Sequence, residues 1–175
     1  TPDGSARTDA IEAAIIAYDY VTATYPAETY GQAALWALVE SGQMEVWDGR
    51  GRYAEARARI EAAIAGVGPN DDRGVVAQAT FVMGDTYLRE GRDLRHNYFA
   101  DAVPAFETAI SYFEMVHPGN FPKVRPDQWY FRQAPARIAE ANTGLGRYAE
   151  ARSYLAPMIA DTSAHGPRDR AWFQV

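Results

Sequence analysis

The sequence predicts an all-α fold made of antiparallel helix pairs, with about four units and no β-sheet. The strongest sign is a repeat, because the seven residues Gly-Arg-Tyr-Ala-Glu-Ala-Arg at 51–57 recur unchanged at 146–152. A second sign is an apolar spacing of four and then three residues after four alanines, which places side chains on one face of a helix. No segment alternates apolar and polar residues between hairpin turns, so strands are not expected.

The four alanines occupy the same place in each repeating unit. They are Ala14, Ala56, Ala102 and Ala151. A larger apolar residue follows each one, such as Ile60 after Ala56 and Phe106 after Ala102. A small side chain lets a neighbouring helix approach closely, while the larger residue fills the space behind it. We therefore expect Ala56, Ala102 and Ala151 to be buried where helices cross.

Capping residues, glycines and prolines predict the helix boundaries. Thr8 can cap the first helix and Pro26 stops it. Residues 66–70 are a loop that contains glycine and proline, and residues 92–97 are a polar insertion after Gly91. The predicted helices span residues 9–25, 28–47, 53–65, 72–90, 99–116, 128–143 and 148–160.

Proline also identifies the irregular regions. Residues 117–127 contain three prolines and cannot form a continuous helix. Pro135 lies inside the helix predicted at 128–143, where it marks either a kink or a second helix start. The chain is predicted to be one domain over residues 1–175, in which residues 162–175 are an irregular tail because a Gly-Pro pair breaks helical structure.

The glycine, tyrosine and alanine of the repeated segment resemble the turn and second-helix opening of the tetratricopeptide repeat. Gly84 and Tyr87 resemble the first helix of the same repeat. This resemblance runs from the first helix to the last, and it implies an α-solenoid of stacked helix pairs that binds other proteins. The first and last units depart from the pattern, with Met44 and Ala139 where the family has glycine, as terminal repeats often do.

A narrower resemblance links the first units to tetratricopeptide proteins of the bacterial cell envelope, such as outer-membrane assembly lipoproteins and periplasmic coordinators of cell-wall synthesis. It rests on Ala17-Tyr18, Tyr25-Pro26, Tyr30 and Ala33-Ala34. It implies a periplasmic or extracellular location, and the small polar residues at 1–5 fit a processed export signal. A chain trimmed for another reason would begin in the same way, so the cytoplasm is the alternative.

Composition limits the classes of function. A net charge of −6 disfavours broad binding to nucleic acid. The chain has no cysteine, which excludes disulfides and thiolate metal sites, and no apolar stretch reaches the ~18 residues needed to span a membrane. The histidines, His96, His117 and His165, lack zinc-site spacing, and no phosphate-binding glycine loop or nucleophile elbow is present. We therefore predict no enzyme activity, no metal and no cofactor.

The tetratricopeptide resemblance also implies a ligand groove along the first helix of each pair. Aligning the units on their alanines, without the insertion in the middle unit, places Glu45, Asp85 and Glu140 at one inward position. Adjoining inward positions hold Leu38, Phe81, Leu88 and Gln133. Two interpretations stay open. Either the acids belong to an ordinary solvated helix face, or they form an acidic groove that prefers a basic or mixed apolar segment.

Three aromatic residues lie outside any helical pattern and are candidates for partner contact. They are Phe121, Trp172 and Phe173. For the tail, two hypotheses remain: Trp172 and Phe173 either fold back over the last helix pair or dock on another chain. The need of a terminal repeat for a cover supports the first, whereas an aromatic anchor after a flexible lead suits a partner pocket.

These features favour a non-catalytic protein–protein interaction scaffold, which holds partner proteins or copies of itself in an assembly. The alternative is a structural accessory subunit of a large complex, attached through its loops and tails instead of a groove. Repeat scaffolds of one architecture bind unrelated proteins, so the sequence does not identify the partner.

Overall fold

A computed structural model describes residues 4–25, 32–47, 51–68 and 73–160. These residues form seven α-helices and contain no strand, which confirms the all-α prediction. The helices are α1 (Gly4–Thr24), α2 (Gln32–Trp47), α3 (Tyr53–Ala65), α4 (Arg73–Arg95), α5 (Phe99–Met115), α6 (Trp129–Gly144) and α7 (Tyr148–Ala160). A short 3-10 helix, Pro118–Asn120, lies between α5 and α6.

The predicted boundaries agree best at α3 and α7, whose ends match the predicted spans 53–65 and 148–160. The prediction is wrong at α4, which continues beyond Gly91 to Arg95 instead of ending before that glycine. Gly91 is not a helix cap. A β-carbon there would lie 3.0 Å from the Phe106 ring, so the glycine permits a close contact between two helices.

The connection between α5 and α6 is irregular, as its prolines predict. It contains the 3-10 helix, and His117 caps this turn by accepting a hydrogen bond at Nδ1 from the Gly119 N–H, 3.0 Å away. The connection then brings Phe121 into the apolar core. Pro135, in contrast, lies inside α6, which is continuous across it, so no second helix starts there.

The helices are arranged around α4. Each helix packs against the next one in the chain, and α4 also contacts both α2 and α6. The helices α2, α4 and α6 therefore form a row. More than half of the 23 residues of α4 are buried, since this helix has neighbours on several sides.

Two apolar clusters hold the helices together. The first joins α2, α3 and α4, around residues that include Leu35, Val39, Ile60 and Val82. The second joins α4, α5 and α6, around residues that include Phe81, Phe106, Phe113 and Ile138. Burial of one such side chain stabilises the fold by about 1.5–3 kcal/mol. Ala56 and Ala102 are 0% exposed and Ala151 is 5% exposed, which confirms that the repeated alanines are buried.

Three glycines allow the close contacts in the second cluster. A β-carbon on Gly144 would lie 2.6 Å from Phe106 Cζ, and one on Gly84 would lie 2.8 Å from Phe113 Cε1. Together with Gly91, these positions let the two rings of α5 lie directly against the backbones of α4 and α6. The packing therefore requires the absence of a side chain at these three positions.

Candidate functional site

A cleft with a volume of about 370 Å³ crosses the row of α2, α4 and α6, and we call it the groove. Each helix lines it with three residues that are three or four positions apart, which is the spacing of one helix face. These residues are Glu40, Gln43 and Trp47 from α2, Gln78, Phe81 and Asp85 from α4, and Trp129, Gln133 and Arg137 from α6. The groove thus spans the three helices α2, α4 and α6.

Each of the three helices contributes one glutamine to the groove. Gln43 and Gln78 are 7% and 5% exposed, whereas Gln133, which the sequence predicts at an inward position, is exposed. Gln78 Nε2 donates a 2.7 Å hydrogen bond to Glu40 Oε1, which links α4 to α2. Because a glutamine amide both donates and accepts hydrogen bonds, the groove offers both functions along its length.

Aromatic rings supply the apolar part of the groove. Trp47 is 39% exposed at the end of α2, and Trp129 is half-buried at the start of α6. Trp129 packs edge-on against Phe81, with ring centroids 5.1 Å apart, and Phe81 packs edge-on against Phe113 at 5.2 Å. Phe81 lines the groove as predicted, although only 2% of its surface is exposed. The accessible apolar contacts are therefore those of the two indole rings.

Glu45, the predicted groove acid of α2, is only 3% exposed and is not among the residues that line the groove. Arg52 Nε lies 2.7 Å from Glu45 Oε2, and Arg59 Nη2 lies 3.5 Å from Glu45 Oε1. Arg59 also donates a 3.1 Å hydrogen bond to Asp19 of α1, and the bonding to Asp19 raises the pKa of the guanidinium. Glu45 therefore joins a set of ion pairs that links α1, α2 and α3.

The other two predicted acids share an arginine. Asp85 is 3% exposed, accepts a 3.1 Å hydrogen bond from Arg89 Nε, and lies 3.5 Å from Arg137 Nε through Oδ1. Glu140 accepts a 2.9 Å hydrogen bond from Arg137 Nη1 and also pairs with Arg92. Arg137 of α6 therefore connects the carboxylates of α4 and α6 at one end of the groove.

These pairings correct the hypothesis of an open acidic groove. Each of the three acids contacts two arginines, so the carboxylate charges are balanced within the fold. Burial imposes this pairing on Glu45 and Asp85, because an isolated charge loses several kcal/mol of hydration when it is removed from water. The repeat alignment located the acids, which share one position. It missed the arginines because most occupy unrelated positions. The available signals were the four-residue spacing of Asp85 and Arg89 and the three-residue spacing of Arg137 and Glu140.

Two further predicted contact residues are in the core. Leu88 is 0% exposed and belongs to the cluster of α4, α5 and α6, so the prediction that it lines the groove is wrong. Phe121 is 8% exposed and packs against Phe131, with ring centroids 6.1 Å apart, so the prediction of an exposed loop anchor is also wrong. A large ring gains more by burial than by remaining in solvent. Trp172 and Phe173 lie outside the described residues.

The sequence interpretation missed most of the residues that line the groove. Gln78 lies three positions before Phe81, and Trp129 lies four positions before Gln133. Helical spacing around the two predicted residues was therefore sufficient to find both. Trp47 had no comparable signal, since it is the last residue of α2 and borders a turn in the sequence.

Comparison with known proteins gives no match to a protein-family model, a curated protein or a solved structure. Across the ranges that the structure describes, no group of three or more acids and histidines is placed to hold a metal ion. Every helix in those ranges is too short or too polar to traverse a lipid bilayer. The functional inference therefore depends on the groove and on the repeated segment.

Proposed function

We propose that the chain is a non-catalytic protein–protein interaction scaffold, built as a tetratricopeptide-like α-solenoid, whose groove binds an extended segment of a partner protein. The partner is held as one component of a multi-protein assembly. On the strength of the sequence resemblance, we propose that this assembly lies in the bacterial envelope, with the cytoplasm as the alternative location.

The helix contacts support the solenoid. In a solenoid each unit packs mainly on its neighbours, and the first helices of successive units lie side by side. The contacts of α4 with α2 and α6 have this form, as do the contacts between consecutive helices. The exact repetition of a turn and helix opening at α3 and α7 gives the same indication from the sequence.

The observation that carries the proposal is the line of glutamines, one from each first helix, in a single groove. An extended polypeptide presents one N–H donor and one C=O acceptor per residue, and nothing in its own chain satisfies them. Glutamine amides can pair with both groups whatever the sequence of the segment. Trp47 and Trp129 add contacts for apolar side chains of the same segment.

The ion pairs narrow the kind of segment. Asp85 is balanced by Arg89 and Arg137. Glu40, the second acid that lines the groove, accepts a hydrogen bond from the neutral amide of Gln78. The groove therefore has no cluster of unpaired acids that requires a basic partner. We therefore propose a segment of mixed apolar and uncharged polar residues. Affinity for such a segment should change by less than about threefold as the salt concentration rises. Salt screens interactions between exposed charges beyond ~10 Å at 0.1 M, and beyond shorter distances at higher concentrations.

A peptide selected from a random displayed library with the full chain as target provides the probe. Trp47→Ala and Gln133→Ala are each expected to weaken binding of that peptide by at least about tenfold, because central aromatic and hydrogen-bonding contacts dominate interfaces. Both side chains are exposed, so their replacement should leave the fold intact, which a thermal melt checks. Peptides that bind both variants as tightly as the parent would refute the groove.

Tyr98→Ala serves as the control and also tests the alternative function. Tyr98 and Phe99 are adjacent, 66% and 51% exposed, and lie where α4 passes into α5, outside the groove. This exposed aromatic pair supports attachment through a loop, as the accessory-subunit hypothesis requires. Loss of binding in Tyr98→Ala, with Trp47→Ala unaffected, would transfer the function from the groove to this loop.

A further inference from the structure

Helix α7 carries a stripe of side chains that closely matches a stripe on α3. In α3 the stripe is covered by another helix. The α7 stripe consists of Tyr148, Arg152, Leu155 and Ile159. The corresponding α3 stripe consists of Tyr53, Arg57, Ile60 and Ile64. Both have spacings of four, three and four residues, so each stripe lies on one helix face. The first two residues are identical in the two stripes, and the last two are large and apolar in both.

The α3 stripe is covered by α4 through specific partners. Tyr53 donates a hydrogen bond from its hydroxyl to Asp93 Oδ2. Arg57 Nη1 donates to Glu90 Oε2 at 2.7 Å and Nη2 donates to Glu90 Oε1 at 3.4 Å, while the guanidinium carbon lies 4.5 Å from the centre of the Tyr87 ring. The three partner residues are three positions apart, so they form one face of α4.

Three of the four residues of the α7 stripe are exposed and have no such partner among the described residues, while Leu155 is half-buried. Tyr148 is 56% exposed and Ile159 is 64% exposed, and Arg152 is also exposed. The adjoining face of α7 is the one that packs on the rest of the fold, through buried Ala151 and a 3.1 Å hydrogen bond from the Tyr154 hydroxyl to Glu114 of α5. The stripe is therefore a formed surface on a docked helix.

We propose that the α7 stripe binds an amphipathic helix of a second polypeptide, in which an aromatic residue is followed by acids three and six positions later. The aromatic ring stacks on Arg152, the first acid pairs with its guanidinium, and the second accepts from the Tyr148 hydroxyl. Leu155 and Ile159 contact the apolar residues of the bound helix. The identical side chains of the α3 stripe bind this pattern within the chain.

Within these 175 residues, no segment is free to be this occupant. Across all 175 residues, an aromatic residue with acids at both the third and the sixth following positions occurs once, at Tyr87, Glu90 and Asp93. That face of α4 is already paired with α3, so a second folded copy cannot offer it. Residues 161–175 contain two acids, Asp161 and Asp169, and both precede the aromatic residues of that segment. The tail therefore lacks the pattern as well.

A stapled synthetic helix with the sequence of residues 76–95 is the probe, because it contains the pattern and holds its helical form. Titrated into the full chain and followed by fluorescence anisotropy, it should bind saturably. Arg152→Glu should weaken this binding by at least about tenfold, because it replaces an ion pair with a like-charge contact. The matched control is Arg132→Glu, an exposed arginine of α6 with the same change in charge, which should have no effect.

A charge exchange makes the test specific. A probe in which the first acid, Glu90, is replaced by arginine should bind the Arg152→Glu variant better than it binds the parent chain. A probe that only displaces the internal α4 would respond to neither change, and this result would overturn the proposal. Absence of saturable binding up to about 1 mM would also overturn it. Trp47→Ala should not affect the probe, so failure here is separable from failure of the groove.

Experiments on the same protein would also reveal two other occupants of the α7 stripe, namely the tail and a second copy of the chain. If the probe binds only after deletion of residues 161–175, the tail covers the α7 stripe in cis and the proposal is overturned. If the parent chain self-associates in sedimentation experiments and Arg152→Glu abolishes this, the occupant is a second copy, and the proposal is again overturned.

Discussion

The two copies of the repeated seven-residue segment share every residue but not their surroundings. Both begin with a glycine in the left-handed region, with φ of 71° at Gly51 and 77° at Gly146, and both lead into a helix. Tyr53 is 9% exposed, whereas Tyr148 is 56% exposed. Local conformation therefore follows from local sequence, while burial follows from the helix that lies alongside.

The neighbour that makes the difference is the end of α4, which extends to Arg95. Asp93 in this extension accepts the hydrogen bond from Tyr53. In the next unit, Phe99 occupies the position that Tyr53 occupies in its own, yet it is 51% exposed, since α6 is shorter and ends at Gly144. Unequal helix lengths thus decide which aromatic ring is covered, even where the repeat places a ring at the same position.

The largest expected effect is the difference in stability between substitution of Tyr53 and substitution of Tyr148. Tyr53→Ala should lower the free energy of unfolding by about 3 kcal/mol, because it removes a buried ring. Tyr148→Ala should lower it by less than about 0.5 kcal/mol, as is usual for an exposed side chain. Urea unfolding followed by circular dichroism measures both. Equal losses would show that a segment outside the described residues covers Tyr148 in solution.

Substitution of Gly51 and substitution of Gly146 should lower the stability equally. This tests whether the two turns depend on local sequence alone. Alanine in the left-handed region is strained, so Gly51→Ala and Gly146→Ala should each lower the free energy of unfolding by about 1–2 kcal/mol. Sterics do not separate them, because a β-carbon at Gly51 would be 3.8 Å from Tyr53, and one at Gly146 would meet nothing within 4 Å. A loss at only one position would show that its turn relaxes.

The smallest effect is a difference in alkaline stability. Burial, and then the hydrogen bond to Asp93, raise the pKa of the Tyr53 hydroxyl above the ordinary value of 10.0. The unfolded chain then loses this proton at a lower pH than the folded chain, so the stabilisation is complete below about pH 10 and is lost as pH rises above it. Burial also raises the pKa of Tyr112 and Tyr154, in the same direction.

The free energy of unfolding, measured from about pH 8 to about pH 11, should therefore fall less steeply with pH in Tyr53→Phe than in the parent chain. Tyr148→Phe should follow the parent, since its hydroxyl has no carboxylate partner within the described ranges. At neutral pH, Tyr53→Phe should cost about 1 kcal/mol, the contribution of one hydrogen bond. Parallel curves for all three proteins would mean that the bond to Asp93 does not persist in solution.

The sequence was sufficient for the helices and for the buried alanines, because caps, prolines and apolar spacing act over a few residues. It was insufficient where a side chain depends on a distant partner. Asp85 lines the groove as predicted, but its charge is balanced by Arg137, which the packing of α6 on α4 brings beside it. Phe121 reads as an exposed loop aromatic until the chain folds it onto Phe131. Glycine misled at Gly91, where close packing and not a helix end explains the residue.

The ring of Phe106, in α5, packs against two other helices at once. Its ring lies against the backbone of α4 at Gly91 and against the backbone of α6 at Gly144, with no intervening side chain at either point. Separation of either helix from α5 therefore exposes the same ring to water. We therefore expect the three helices to open together, as one cooperative unit in amide hydrogen exchange, and α1 and α7 to exchange through smaller, partial openings.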